Sequence, residues 1–495
     1  MLSLLIWSPL VFAAIILFAG NGRENVVKTI ALISSLTILA LSIVLWIDFD
    51  TSTHLMQFVE KKSWISEFNI NYHLGIDGIS LPFILLTTFS TVILVLSSWN
   101  VKTKLAHYMA AFLVMEGVII GVFSALNSIL FYLFWEASLI PMLLIIGIWG
   151  GDRRVYAAIK FFLYTFLGSV LMLIAFVYMN SISNSFGILD MHNLSLTSEE
   201  QFYIFWAFFL AFAVKVPMFP FHTWLPSAHV QAPAGGSVIL AAIMLKMGGY
   251  GFLRFSLPIT PDASLEFADV VMVLSVIAIV YIGFIALKQS DMKKLVAYSS
   301  ISHMGFVTLG TFAIFAANSH SQESALLGLE GGMVQMISHG FISAAMFLVI
   351  GVLYDRLHSR EISSYGGVAK VMPLFAGFVV LFAMANAGLP GTSGFVGEFM
   401  VILGIASVNI YYAIFAATTL IIGAAYTLWM VKRVMWGEVV NEKVAALKDL
   451  NFIEFVVFAI LAFFVIALGV YPQPIIDMIE VSSQYLLQQA LSSKL

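Results

Sequence analysis

The sequence predicts an all-α polytopic membrane protein. Three observations lead there: 61% of its 495 residues are hydrophobic and only 10% are charged, the mean hydropathy is +0.99, and the apolar residues gather in long runs. Soluble domains are roughly half apolar and about a quarter charged. Most of the runs approach or exceed the roughly 20 residues that carry a helix across a ~30 Å hydrocarbon core, and they lack the alternation of a membrane β-barrel.

In chain order the expected spans are 3–20, 27–47, 79–98, 106–125, 127–149, 157–180, 202–219 with a short continuation to about 230, 235–257, 267–287, 295–316, 327–354, 372–404, 409–431 and 451–471, about 14 transmembrane helices. No basic segment precedes the first run, so it reads as a retained span and not as a cleaved leader. The seventh meets Pro217, Pro220 and Pro226, which remove three backbone donors and forbid one regular helix. The twelfth is interrupted by Gly388-Leu389-Pro390-Gly391. Unwound backbone at membrane depth survives only where protein encloses it or a hydrated cavity lines it.

The breaks in helices 7 and 12 lie five spans apart, an odd offset, and this predicts two inverted five-helix repeats. The chain then divides into 1–104 (spans 1–3), 105–258 (spans 4–8, the first repeat), 259–433 (spans 9–13, the second) and 434–495 with span 14. Two ordinary proline kinks are the alternative.

Basic residues orient the bundle. Of the 23 lysines and arginines, all but Lys61, Lys62, Lys215, Lys246, Arg254 and Lys494 fall in or beside connections that follow odd-numbered spans. Such connections are cytoplasmic by the positive-inside rule, which puts both termini on the outer side. The net charge of −4 is too small to imply a partner. With no cysteine, disulfides, thiolate metal sites, cysteine-ligated iron–sulfur clusters and covalent haem are excluded. The histidines have no metal-ligand spacing, and no phosphate-cradling glycine motif occurs.

What remains is ionisable residues inside the spans. Each costs about 2.5–3.5 kcal/mol on insertion scales, so chains that keep several usually move ions with them. Glu136 lies about ten residues into the fifth span, roughly 15 Å at 1.5 Å per residue. Lys215 precedes the first break and is its natural partner. Lys246 lies deep in the eighth span, and Glu398 follows the second break. Desolvation opposes charge on any such group and a nearby opposite charge restores it, so each can change its proton occupancy. His303, beside serines, and His339, one turn after Gln335, add groups that titrate near neutrality. Each has a structural rival: an ion pair that only lets charge be buried, or a histidine hydrogen-bonded in the core. Glu116 is a possible secondary site. His222 and His229 read as loop polarity at an interface.

The runs from His73 to Pro82, Phe134-Trp135-Glu136-Ala137, Lys215 through His229, and Gly388 through Phe399 together resemble the antiporter-like M (chain 4) family of proton-translocating NADH:quinone oxidoreductase, respiratory complex I. The resemblance spans nearly the whole chain. It is similar to the L and N families too, but L carries lysine at the position of Glu398. The resemblance implies a proton-translocating membrane-arm subunit in a bacterial inner membrane, driven electrostatically by quinone reduction elsewhere. It implies Glu136 and Lys215 as a switching pair, Lys246 as relay, His303 and His339 in a polar axis, and Glu398 as exit. No cofactor is expected in this chain; NAD, FMN, Fe–S clusters and quinone belong to the partner subunits. Two other readings stay open. One is a subunit of a multi-subunit Na⁺/H⁺ antiporter; the other is a membrane scaffold whose buried charges only fix helix packing.

Overall fold

A computed structural model describes residues 1–20, 22–316 and 322–495. Among these residues, ten helices are long and apolar enough to cross a membrane, and four shorter apolar helices accompany them, Leu2–Phe18, Leu81–Ser97, Pro373–Asn386 and Ser393–Ala406. The chain clusters into two compact units. The first is Met1–Pro217 with Ile243–Ala268 and Ile475–Leu495; the second is Met218–Ala242 with Asp269–Pro474.

In the first unit the expected runs become the helices Leu2–Ala19, Glu24–Ile47, Leu81–Ser97, Leu105–Ser124, Arg154–Ser183 and Ser198–Lys215, each within a few residues of the reading above. The fifth run divides at Ser138 into Ser128–Ala137 and Leu139–Trp149. Helix starts are set locally. Asn127 accepts from the N–H groups of Ile129 and Leu130, and Thr197 with Glu200 forms a capping box at Ser198–Lys215.

Two features of this unit depart from an all-helical reading of its loops. Gln57–Ile65 and Ile70–Ile76 form an antiparallel hairpin, turned by Ser66–Phe68 and by Asn69 at φ 53°; asparagine tolerates this left-handed backbone well. The N-terminal ammonium bonds Glu60 of the hairpin at 2.5 Å. Beyond the last span, Gln473–Leu491 is a further helix, with Met478, Ile479, Ser482, Ser483, Leu486, Leu487 and Ala490 buried at helical spacing. It docks on the turn after the hairpin. Gly78 donates its N–H to Ser482 Oγ at 3.0 Å, and a Cβ there would stand 2.1 Å from the Met478 carbonyl, so only glycine permits the approach.

In the second unit the long helix Gln322–Leu357 packs against Met292–Phe312 and Ser393–Ala406. The most apolar window of Gln322–Leu357 is 94% buried, against 28% for Phe452–Val470, so the former is the unit's centre and the latter its rim. The expected break in the twelfth run separates Pro373–Asn386 from Ser393–Ala406. Gly388 at φ 75° and Gly391 at φ 88° take backbone conformations that side chains rarely adopt.

Candidate functional site

In the first unit, Ser198–Lys215 ends on Lys215 because Pro217 and Pro220 follow, which puts a cation at the negative end of the helix dipole. Lys215 is 1% exposed. Its ammonium has no hydrogen-bond acceptor among the described residues and lies 5.1 Å from the centroid of the Trp135 ring. A desolvated cation over an indole face gains about 2 kcal/mol.

Glu136, the next residue in sequence, is half-buried. It accepts from the Ser169 hydroxyl of Arg154–Ser183. Among the described residues the expected partners form no salt bridge within 4 Å. Lys246, in Leu245–Gly251, is wholly buried. Glu116 is wholly buried too, and neither of its carboxyl oxygens has a hydrogen-bond partner among the described residues. Thr91 lies beside it but gives its hydroxyl to the Thr87 carbonyl at 3.0 Å.

In the second unit the groups touch. His303 Nδ1 and Glu398 Oε1 are 2.6 Å apart, and Gln335 Nε2 donates to the same oxygen at 3.1 Å. So short a contact needs a hydrogen between the two atoms. His339 stands next to it, its ring centroid 5.7 Å from that of His303. His303, Gln335, His339, Asn386 and Glu398 border a cavity of about 10 Å³, the lower limit for one water molecule. The Nε2 of His303 and the amide oxygen of Gln335 are buried with no hydrogen-bond partner among the described residues.

His222 and His229 correct the reading of loop polarity. His229 is 0% exposed, inside the Trp224–Gln231 helix, with its ring stacked 4.3 Å from that of Phe347; His222 is 8% exposed in a short 3-10 turn. Proline spacing suggested a loop, but the chain re-forms a helix between the prolines.

One cluster was not foreseen. Arg254, read above as a basic residue apart from the loops, is 4% exposed and bonds Asp77 Oδ1 at 2.6 Å and Ser80 Oγ at 3.2 Å. Burial first, and then the Arg254 charge, push the neighbouring His192 down to about 3, so its ring is neutral. Its Nε2 must carry the hydrogen, since the Arg254 carbonyl 2.9 Å away can only accept. Asp77 lies in the run from His73 to Pro82, and that was the only sequence signal. Among the described residues no three His, Cys, Asp or Glu side chains gather closely enough to hold a metal ion.

Comparison with known proteins fits this arrangement of buried charge. Residues 125–423 match the transmembrane family described as NADH:quinone oxidoreductase/Mrp antiporter. The chain is 49% identical over 505 residues to NADH-quinone oxidoreductase subunit M of Rhodobacter capsulatus, covering 99% of this chain and 96% of that one. It superposes on a chain of respiratory complex I from Thermus thermophilus with bound NADH at a TM-score of 0.89 and 28% identity, covering 99% and 100% of the two chains. A chain of the Mrp complex from Dietzia sp. DQ12-45-1b shares the fold, with a TM-score of 0.82 at 20% identity, over 99% of this chain and 52% of that one. The chain therefore belongs to the NADH:quinone oxidoreductase/Mrp antiporter transmembrane family, among the M subunits of NADH-quinone oxidoreductase.

Proposed function

We propose that the chain is the proton-translocating M subunit of an NADH:quinone oxidoreductase, moving H⁺ through buried Glu, Lys and His groups and carrying no redox centre itself. NAD, FMN, Fe–S clusters and quinone sit in partner subunits. The observation that carries this reading is the complete burial of Lys215 and Lys246 in the first unit, together with the short His303–Glu398 hydrogen bond in the second. Groups so costly to bury are kept for work they do.

Fourteen crossings follow if the ten long helices, the short helices Leu2–Phe18 and Leu81–Ser97, and the two broken runs are counted, the first broken run being Ser198–Lys215 with its continuation and the second Pro373–Asn386 with Ser393–Ala406. The segments 105–258 and 259–433 are then inverted repeats, with both termini on the outer side of a bacterial inner membrane, as the basic-residue asymmetry requires. Half-buried Glu136 is an awkward group to leave against lipid, which supports a neighbouring membrane-arm subunit covering it.

Quinone reduction elsewhere in the complex changes the charge next to Glu136. Two unit charges about 5 Å apart at an effective dielectric near 20 interact by roughly 3 kcal/mol, about a hundredfold in proton occupancy, so a nearby charge change can drive Lys215 to release its proton. Lys246 relays it, His303 and His339 extend the polar axis, and Glu398 releases the proton on the outer side. Glu116 is a secondary participant.

Glu136→Gln and Lys215→Ala test the reading in the assembled complex. Each is expected to abolish most NADH-driven proton uptake by vesicles and the coupled quinone reduction, with assembly intact. Normal pumping in either variant sinks it.

A further inference from the structure

The buried ion pair of the first unit uses only half of each partner. A guanidinium and a carboxylate commonly close fork to fork, with two parallel N–H···O bonds. Here Arg254 Nη2 bonds Asp77 Oδ1 at 2.6 Å, and the N–H groups of Ile79 and Ser80 donate to that same oxygen at 3.1 and 3.0 Å. Nη2 also reaches Ser80 Oγ, and Nε donates to the Tyr250 hydroxyl at 3.2 Å. Asp77 Oδ2 and Arg254 Nη1 are left over, with no hydrogen-bond partner among the described residues. His192 repeats the pattern. Its Nε2–H goes to the Arg254 carbonyl, so Nδ1 is a bare acceptor, again with no partner among the described residues.

All three residues line one cavity of about 220 Å³, the space of roughly seven waters at ~30 Å³ each. They are 3%, 4% and 7% exposed for Asp77, Arg254 and His192, so these are built-in walls and not loose surface side chains. The leftover atoms are an anionic acceptor, a cationic donor and a neutral acceptor. They call for a ligand that brings an anionic oxygen to Arg254 and several N–H donors to Asp77 and His192. Its own charges should cancel, because the pair it meets is already neutral. The cavity's depth and edge fix what carries such a group. Asp77 and Ile79 stand just before the Leu81–Ser97 crossing, and Arg254 and Pro258 lie in the last turns of the Ala234–Ile259 crossing, which is headgroup depth in a bilayer. Leu55, Leu189 and Tyr485 border it as exposed apolar or aromatic side chains, with Tyr485 stacked on His54 at 3.9 Å between ring centroids. A soluble ligand has no use for that edge, whereas acyl chains do.

We propose that the cavity under the C-terminal helix binds the headgroup of a zwitterionic phospholipid with a primary ammonium, of which phosphatidylethanolamine is the simplest. The phosphate accepts from Arg254 Nη1, the ammonium donates to Asp77 Oδ2 and His192 Nδ1, and the acyl chains leave past Leu55 and Leu189. Each charge of the headgroup then meets its opposite, and the open half of the ion pair is satisfied. The same chemistry sets the selectivity. A trimethylated ammonium has no N–H to give, and a glycerol headgroup leaves the phosphate charge uncancelled inside the cavity. This site lies apart from the proton-carrying groups proposed above and does not depend on them.

The test uses the assembled complex in phosphatidylglycerol vesicles that hold a trace of phosphatidylethanolamine, photoreactive near the glycerol end of one acyl chain. Illumination is expected to label peptides carrying Leu55, Leu189 or Tyr485, and unlabelled phosphatidylethanolamine should suppress that label where the same amount of phosphatidylcholine does not. Asp77→Asn keeps an oxygen for Ile79, Ser80 and Arg254 but turns the open Oδ2 into an N–H donor that refuses the ammonium. Losing a hydrogen bond to a charged group in this way should cut labelling by about tenfold or more. Because a loosened fold could mimic that result, Leu189→Trp is the second variant. It crowds the cavity edge, leaves the ion pair intact, and should cut labelling as well. Labelling that survives both variants overturns the site. So does equal competition by phosphatidylcholine, which marks ordinary contact with surrounding lipid. Suppression by free phosphoethanolamine at the concentration where the lipid itself competes overturns the lipid as occupant.

Discussion

In the first unit Lys215 lies over the Trp135 ring without an acceptor and Glu136 is satisfied by Ser169, whereas in the second Glu398 and His303 share one hydrogen at 2.6 Å. The two arrangements do different things with the same chemistry. A cation and a carboxylate kept apart respond to outside charge, because neither has its field cancelled by a bonded partner. A directly bonded pair responds to the arrival of a proton, because the hydrogen between them can change owner with little movement. The first unit is built to be pushed, the second to pass on what reaches it.

Glu398→Gln should have the largest effect on that contrast. The amide can still accept from His303 but cannot take or release a proton, so proton pumping should fall by roughly tenfold or more, about 1.4 kcal/mol or more added to the barrier. Pumping near the normal rate would make the pair structural. Trp135→Leu should do less. It removes a ring face worth about 2 kcal/mol to a desolvated ammonium and changes no titrating group; only part of that loss falls on the slow step, so the pumping rate should shift by under about tenfold and not be lost. A variant as dead as Glu136→Gln would mean that the indole is itself part of the path. Glu60→Gln should do least. It removes the partly exposed ion pair with the N-terminus, worth under about 1 kcal/mol, so thermal stability should barely change and pumping should be untouched.

The spans were legible because membrane depth fixes their length, and the breaks because Pro217, Pro220 and Pro390 cannot continue a helix. The buried Lys215, Lys246 and Glu398 were legible for the same reason: charge inside an apolar run is conspicuous. Their partners were not. Glu398 meets His303 across 95 residues, Glu136 meets Ser169 across 33, and Arg254 meets Asp77 across 177, and no local periodicity records such distances. The hairpin escaped because its residues are neither apolar enough to be a span nor in strict alternation, and its strands slip register twice. His229 escaped because three prolines suggested loop where the chain re-forms a short helix.

The most direct test of buried charge as the working element is the number of protons taken up per NADH oxidised by vesicles carrying the assembled Lys215→Ala complex. The expected result is a ratio well below that of the unaltered complex, in an assembly of normal composition. An unchanged ratio at an unchanged rate would mean that protons do not pass through Lys215.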